Sequence, residues 1–325
     1  MRTSALLSFG ICASLLCLSA ASHGQSFTYP ARSVRVIVPY PAGGPTDVIA
    51  RLASQALSET LGQQFVVENV SGASGVRGAV MVAAAPPDGY TLMFITNDFA
   101  IAYAMSSKPQ YDPVKNFAPI SIISKSPSVV LLHPSVPAKT MQEFIALARA
   151  DPAKYSFAGM GLGQNLLASE KIFRLTLKLP IVRVPFPGAS PIINSTVAGH
   201  TLVGYIGLPP ASPFIKEGTL RALAVTSPSR SPIAPDVPTL AESGFPGLES
   251  ELMIGLVAPA GTPQSVVQLL AQEMAAFVAR PQTQARLAAL GFTPVGSRPE
   301  DLAAQISSDV ERSSAVVHEA GIKVD

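Results

Sequence analysis

The residues best suited to chemistry form one short cluster, the segment PAGGPTD at positions 41–47. The pair Gly43-Gly44 predicts a turn, and Pro45 suits the first position of a helix because it has no N–H to leave unpaired. A carboxylate at Asp47 would then stabilise the positive end of the helix dipole. Backbone N–H groups at such a helix start bind small anions. The cluster therefore predicts an anion site or, alternatively, a plain strand-to-helix corner.

A strand and a helix must position this cluster. The run from Val34 to Val38 is rich in β-branched residues and predicts a buried strand, which Pro39 ends. After the turn, apolar residues recur with helical spacing from Val48 to Leu57. Together these elements place the N–H groups of the turn above the carboxyl end of a strand.

The rest of the chain alternates strands and helices, which predicts a doubly wound α/β fold. We expect further strands at 64–70, 90–96, 155–158, 181–186, 201–208, 220–226 and 253–258, and helices at 140–150, from 164 onward, at 262–279 and at 299–320. The apolar passage at 120–133 is broken by Ser124 to Ser128 and predicts a crossing between domains. We expect a discontinuous first lobe at 25–125 and 227–325, a second lobe at 126–226, and a hinge between them.

The N-terminus predicts an exported protein. Residues 1–24 combine a lone Arg2, an apolar run and small residues, as in a cleavable signal peptide. No later stretch has the uninterrupted apolar length of a membrane span. The 23 Lys and Arg residues nearly balance the 21 Asp and Glu residues, so nothing favours nucleic acid as a partner. Both cysteines, Cys12 and Cys17, lie in the predicted signal, which leaves the mature chain without a disulfide.

Catalytic and metal-binding patterns are missing from the sequence. It contains neither a GxSxG nucleophile motif nor a phosphate-binding GxxxxGK[ST] loop. His133, His200 and His318 are scattered without the spacing of metal ligands. We therefore predict a binding protein with no catalytic residues, no metal and no cofactor. An exported hydrolase or isomerase that uses Asp47 or the Thr46 hydroxyl is the alternative.

Seven blocks in this order resemble one family: YPARSVRVIVPYPAGGPTDVIARLASQAL, VVENVSGASGVRGA, AAAPPDGYTLMF, YDPVKNFAPIS, LRALAVTS, SPIAPDVPTLAESGFPG and GLVAPAGTP. From about Tyr29 to the C-terminus, the chain is similar to the Bug-type receptors of tripartite tricarboxylate transporters, which are extracytoplasmic solute-binding proteins. The resemblance implies a type II periplasmic-binding-protein fold, with two doubly wound lobes that close over a small carboxylated ligand.

The resemblance also implies a set of ligand-binding residues at the two facing turns and the neighbouring strand ends. They are Ala42, Gly43, Gly44, Thr46, Asp47, Thr96, Asn97, Gly161, Gly163, Gln164, Asn165, Ala189, Ser190 and Gly207.

The second turn departs from the family pattern. The family resembles GSxGxGSxSHLAGE there, whereas this chain has AGMGLGQNLLASE, which is one residue shorter and lacks the serines and the histidine. Two Asp positions of the family are Leu202 and Ile206 here. With Leu162, Leu166 and Leu208 also expected near the cleft, the second lobe should be less polar than the first. The chain is therefore expected to bind an aromatic or medium-chain monocarboxylate more tightly than a short di- or tricarboxylate.

Taken together, the sequence predicts a monomeric periplasmic receptor that binds a small organic acid and delivers it to the subunits of a membrane transporter. Docking of the liganded receptor on a membrane sensor kinase is an open alternative, which the sequence does not separate from transport.

Overall fold

The computed structural model describes residues 29–160, 163–186 and 188–322. The strands are β1 (Val34–Val38), β2 (Phe65–Asn69), β3 (Thr91–Thr96), β4 (Phe117–Leu132), β5 (Phe157–Met160), β6 (Arg183–Phe186), β7 (Val203–Gly207), β8 (Arg221–Val225), β9 (Glu251–Pro259) and β10 (Thr293–Pro294). The helices are α1 (Pro45–Leu61), α2 (Val76–Ala83), α3 (Asp98–Ala104), α4 (Met141–Ala150), α5 (Gly163–Ser169), α6 (Ala189–Val197), α7 (Leu208–Lys216), α8 (Gln264–Ala279), α9 (Pro281–Ala289) and α10 (Pro299–Glu319). The predicted signal peptide, residues 1–24, lies outside the described residues.

The first strand, turn and helix form as predicted. Pro45 is the first residue of α1, and Gly44 precedes it in an extended conformation. The helix ends where Gly62 takes a left-handed conformation, with φ 71°, and donates its N–H to the carbonyl of Ser58. Most of the residues with helical spacing, among them Ile49 and Leu57, are buried against the sheet.

The strands pair in the order β2-β1-β3-β9-β4-β7-β5-β6, with β8 and β10 also paired to β4. We call the part built from β1, β2, β3, β9, β10 and the start of β4 the first lobe. The second lobe contains the end of β4 with β5, β6, β7 and β8. Strands β1, β2 and β3 are parallel to one another, and so are β5, β6 and β7.

Strand β4 runs through both lobes, and here the structure differs from the sequence prediction. The serine-rich segment Ser124–Ser128 does not interrupt it, because the backbone ladder continues along it. Pro127 pairs with Glu251 of β9, and the next residue, Ser128, pairs with Gly207 of β7. The change of partner lies close to the predicted lobe boundary at residue 125, which stays a prediction.

Each sheet is covered by helices on both faces, which confirms the predicted α/β class. In the first lobe, Val36 and Leu270 belong to the core under α1 and α8, while Ile37 and Leu302 belong to the core under α2 and α10. A helix layer on each face is the doubly wound arrangement.

The second lobe repeats this arrangement. Val130 packs with Phe144 of α4 on one face, and Val129 packs with Ile192 of α6 on the other. Helix α5 continues into a π-helical segment, Glu170–Thr176, in which Ile172 and Phe173 join the core that contains Phe144. No helix in the described part of the chain has both the length and the apolar character needed to cross a membrane.

The two lobes touch through a separate apolar cluster. Ile101 of α3 packs with Leu166 of α5 and Val316 of α10. The guanidinium of Arg174, in the second lobe, also donates to the carbonyl of Ala320 just after α10. The C-terminal helix therefore links the two lobes in addition to the strands that cross between them.

Candidate functional site

The strand directions place the carboxyl ends of the parallel strands of the two lobes opposite each other. β4 runs from the first lobe into the second, and β9 is antiparallel to it. β3 is antiparallel to β9, so β3 ends towards the second lobe. β7 is antiparallel to β4 and ends at Gly207 beside Ser128, so it points towards the first lobe. Ligands of open α/β sheets bind at such carboxyl edges.

The first turn presents backbone N–H groups at this edge. Val48 donates to the carbonyl of Gly44 and makes the first bond of α1. The N–H groups of Gly44, Thr46 and Asp47 have no acceptor within the described ranges 29–160, 163–186 and 188–322. Ala42 lies exposed just before the turn. The turn can therefore donate several hydrogen bonds to one anion.

The Asp47 carboxylate points back into the first lobe, where only 3% of the side chain is exposed. Its Oδ2 accepts from the backbone N–H of Gly43 at 2.9 Å and from Arg51 Nε at 3.0 Å. Its Oδ1 accepts from Asn69 Nδ2 at 2.9 Å. Asp47 thus fixes the shape of the turn, and its two oxygens are not presented to a ligand.

The protonation of Asp47 reflects these contacts. Burial alone would raise its pKa, but the hydrogen bond from Arg51 and those from Gly43 and Asn69 outweigh burial and lower the pKa below the ordinary aspartate value. The residue is therefore ionised at neutral pH. A general base must be free to accept a proton, so this carboxylate is poorly suited to the hydrolase or isomerase alternative.

Thr96 and Asn97, both predicted ligand contacts, are used within the protein. The Thr96 hydroxyl lies 2.7 Å from the Tyr40 hydroxyl and accepts from the N–H of Asp98. Asn97 donates to Asp309 Oδ2 at 2.9 Å and accepts from the N–H of Met253 at 2.7 Å. The Asn97 amide thus ties β3 to α10 and β9.

The described part of the second turn is tied to its surroundings. Gly161 lies outside the described residues, as does the side chain of Gln164. Gly163 adopts a left-handed conformation, with φ 77°. Asn165 Oδ1 accepts from the hydroxyl of Ser128 at 2.9 Å, which holds the start of α5 to the crossing in β4.

The remaining predicted contacts are at strand ends of the second lobe. Ala189 begins α6, and Ser190 is exposed at its first turn. Gly207 ends β7 directly before α7. Ile206 and Leu208 are fully buried in the core beneath α6 and α7. The expectation that these two side chains lie at the cleft is therefore wrong, since the alternation along β7 and the start of α7 turn them inward.

Sequence reasoning missed several residues that shape the site. Tyr40 and Arg51 hold the first turn through Thr96 and Asp47. Asp98 lies against the second turn: a Cβ atom built on Gly163 would come 2.6 Å from Asp98 Oδ1. Only the Asp47–Arg51 pair had a local signal, its helical i,i+4 spacing.

A cavity of about 260 Å³ also lies between the lobes, and Asn97, one of the predicted ligand contacts, lines it. No residue from the described part of the two turns is among its lining residues. Its charged lining includes Lys125, Glu251 and the pair Asp309–Arg312, whose side chains are 2.7 Å apart. The N–H groups that lack an acceptor in the described part of the chain are presented at the first turn and not in this cavity. Within the described residues, no group of three or more His, Cys, Asp or Glu side chains could hold a metal ion.

Two α/β lobes with facing strand ends and an N–H-rich turn define a two-lobe solute-binding protein. A profile of the tripartite tricarboxylate transporter family receptor matches residues 49–322. BugT of Bordetella pertussis is 32% identical over 299 residues, which cover 91% of this chain and 92% of BugT. The chain therefore belongs to the tripartite tricarboxylate transporter receptor family, and the predicted resemblance is confirmed.

Solved structures agree with this assignment. The structure of an R. palustris protein with adipate is 33% identical in sequence to this chain and superimposes with a TM-score of 0.76. The match covers 91% of this chain and 99% of that protein. MatC from Rhodopseudomonas palustris with bound malate is also 33% identical, with a TM-score of 0.72 and coverage of 89% and 100%. The type II periplasmic-binding-protein fold is therefore confirmed, and the family is one of binding proteins rather than enzymes.

Proposed function

We propose that this protein is a periplasmic receptor that captures a small carboxylated ligand between its lobes and delivers it to a tripartite tricarboxylate-type membrane transporter. The observation that carries the proposal is the first turn. Gly44, Thr46 and Asp47 present N–H groups that lack an acceptor in the described part of the chain. A carboxylate fits this turn because its oxygens accept several hydrogen bonds and its charge is stabilised by the helix dipole.

Simple energetics support capture between two lobes. A hydrogen bond to a charged group contributes about 1.5–3 kcal/mol. Micromolar binding requires about 8 kcal/mol, and association costs at least about 4 kcal/mol. The few N–H groups of one turn fall short of that sum, so contacts from the second lobe must supply the rest.

The comparisons support the ligand class and the partner. The relatives with adipate and malate hold organic acids. Delivery to a membrane transporter is the function that the family name describes. We extend both to this chain, together with export through a signal peptide at 1–24, lobe boundaries at 125/126 and 226/227, and a monomeric state.

Thermal unfolding in the presence of paired ligands tests the proposal. Mono-, di- and tricarboxylates are each compared with the corresponding amide at pH 7.5 and one salt concentration. A ligand that binds only the folded protein, at a free concentration of a hundred times its Kd, stabilises the fold by about 2.7 kcal/mol and so raises the Tm. We expect at least one acid to raise the Tm and its amide to leave it unchanged. No shift with any acid, or equal shifts with acid and amide, would contradict carboxylate capture.

A further inference from the structure

The carboxylate of Asp98 lies directly against the second turn. A Cβ atom built on Gly163 would lie 2.6 Å from Asp98 Oδ1, 3.2 Å from Cγ and 3.3 Å from Oδ2. The 2.6 Å distance is shorter than contacts that real Cβ atoms make, so the Asp98 carboxylate occupies the space that a side chain at position 163 would need. Asp98 belongs to the first lobe and Gly163 to the second, so this contact crosses the cleft.

The first lobe holds Asp98 in this position. Its N–H donates to Thr96 Oγ1 at 3.2 Å. The next residue, Phe99, is buried and stacks on Tyr111, with ring centroids 5.1 Å apart. These two contacts fix the start of α3, and with it the backbone position from which the Asp98 side chain extends.

The charge of Asp98 reaches its neighbours in the first lobe. Burial raises the pKa of the Tyr40 phenol, and the negative charge of Asp98 raises it further. The same two causes raise the pKa of Tyr111. Both tyrosines are therefore neutral hydrogen-bonding groups beside the Asp98 carboxylate.

A second carboxylate at this place would meet the first at close range. Two carboxylates that share a site repel each other strongly, and one of them must bind a proton to stay there. We propose that Asp98 is a specificity-determining residue: by occupying the space beside Gly163 it restricts the ligand to one carboxylate, held at the first turn, with an uncharged opposite end. This inference rests on the proposed function, since it concerns the ligand of the same cleft.

The inference gives the predicted monocarboxylate preference a different physical cause. That prediction relied on apolar residues at the cleft, but Ile206 and Leu208 lie in the core of the second lobe. Exclusion by charge acts only on ligands with a second carboxylate, whereas an apolar wall would favour large apolar groups in general. The two causes can therefore be separated by changing one residue.

Calorimetric titration with hexanoate and adipate tests the inference, because these acids share a six-carbon chain and differ in one carboxylate. The proteins are the unmodified chain, Asp98→Asn, Asp98→Ser and, as a control for net charge, Asp236→Asn at an exposed position. At pH 7.5 we expect the unmodified chain and Asp236→Asn to bind hexanoate at least about tenfold more tightly than adipate. Both Asp98 variants should gain at least about tenfold in adipate affinity, with hexanoate affinity changed by less than about threefold.

Two results would overturn the inference while leaving carboxylate capture intact: adipate binding the unmodified chain as tightly as hexanoate, or an unchanged affinity ratio in the Asp98 variants. Failure of every acid in the thermal-unfolding experiment would instead overturn the proposed function, and this inference with it. Circular dichroism establishes that each variant is folded, and Asp98→Ser carries the test if Asp98→Asn does not fold.

Discussion

Replacing Asp47 by Asn tests whether this carboxylate, rather than the glycines alone, fixes the first turn. The substitution keeps the size of the side chain and one acceptor oxygen, but removes the charge. An amide NH2 group then replaces one of the two oxygens. Since Oδ2 accepts from both Gly43 N–H and Arg51 Nε, whereas Oδ1 accepts from Asn69, at least one donor faces another donor.

The expected loss of unfolding free energy in Asp47→Asn follows from how deeply each partner of the carboxylate is buried. The bond from Gly43 N–H to a charged acceptor is worth about 1.5–3 kcal/mol. The pair with Arg51 adds at most about 1 kcal/mol, because the Arg51 side chain is 52% exposed. We therefore expect the unfolding free energy to fall by about 2–4 kcal/mol and the affinity for the carboxylate ligand to fall with it, since the turn loses its fixed shape.

Urea unfolding followed by circular dichroism measures the effect, because the chain contains no Trp for fluorescence. Glu68→Gln is the matched control, because it breaks the ion pair between Arg35 and Glu68, whose side chains are 49% and 38% exposed. This substitution should lower the free energy of unfolding by less than about 1 kcal/mol.

The effect of Asp47→Asn should depend on pH in a defined direction. The folded-state pKa of Asp47 is lowered, so its stabilisation is complete above the unfolded pKa of about 3.9 and is lost as the pH falls through the folded value. A loss no larger than that of Glu68→Gln, or a loss that persists undiminished at the lowest pH, would refute the assigned role.

Three other substitutions give separate expectations. Gly44 has a negative φ of −73°, so Gly44→Val should change the unfolding free energy by less than about 1 kcal/mol yet lower ligand affinity at least about tenfold in calorimetry, because the side chain obstructs the N–H groups. Burial raises the pKa of Glu251, although the nearby charge of Lys125 partly opposes this shift. Ionised Glu251 therefore destabilises the folded state once the pH rises above the ordinary glutamate pKa. Glu251→Gln should raise the Tm at pH 7.5 and lose that gain near pH 4. Thr140 accepts from Glu143 N–H at the start of α4, so Thr140→Ala should cost about 1 kcal/mol in urea unfolding.

The parts of the fold that were predicted well have strong local signals. β1 and α1 follow from a β-branched run, a glycine turn and Pro45, all within one short segment. The short helix α3 was not predicted, because seven residues beginning at Asp98 carry too little periodicity to separate a helix from a strand. The serines of β4 suggested a break, yet Ser126 and Ser128 have hydrogen-bond partners that keep the strand intact.

The orientation of the site residues depends on distant parts of the chain. Asn97 points away from the first turn because its amide bonds to Asp309, 212 residues later. Asp98 lies beside Gly163 only because the two lobes come together. No local pattern contains such contacts, so the sequence predicted where the strands end but not which side chains those ends present.

The contacts between the lobes affect how much of a ligand's binding free energy is spent on bringing the lobes together. Ile101, Leu166 and Val316 are buried where α3, α5 and α10 meet, and this burial stabilises the observed arrangement of the two lobes in the absence of a ligand. A ligand shifts the balance between open and closed forms only by the difference in its affinity for them. When the protein's own apolar contacts already favour the closed form, less of the binding free energy is spent on closure. Under the proposed function, the second lobe's contacts with the ligand then need to supply only the binding free energy that the first turn does not provide.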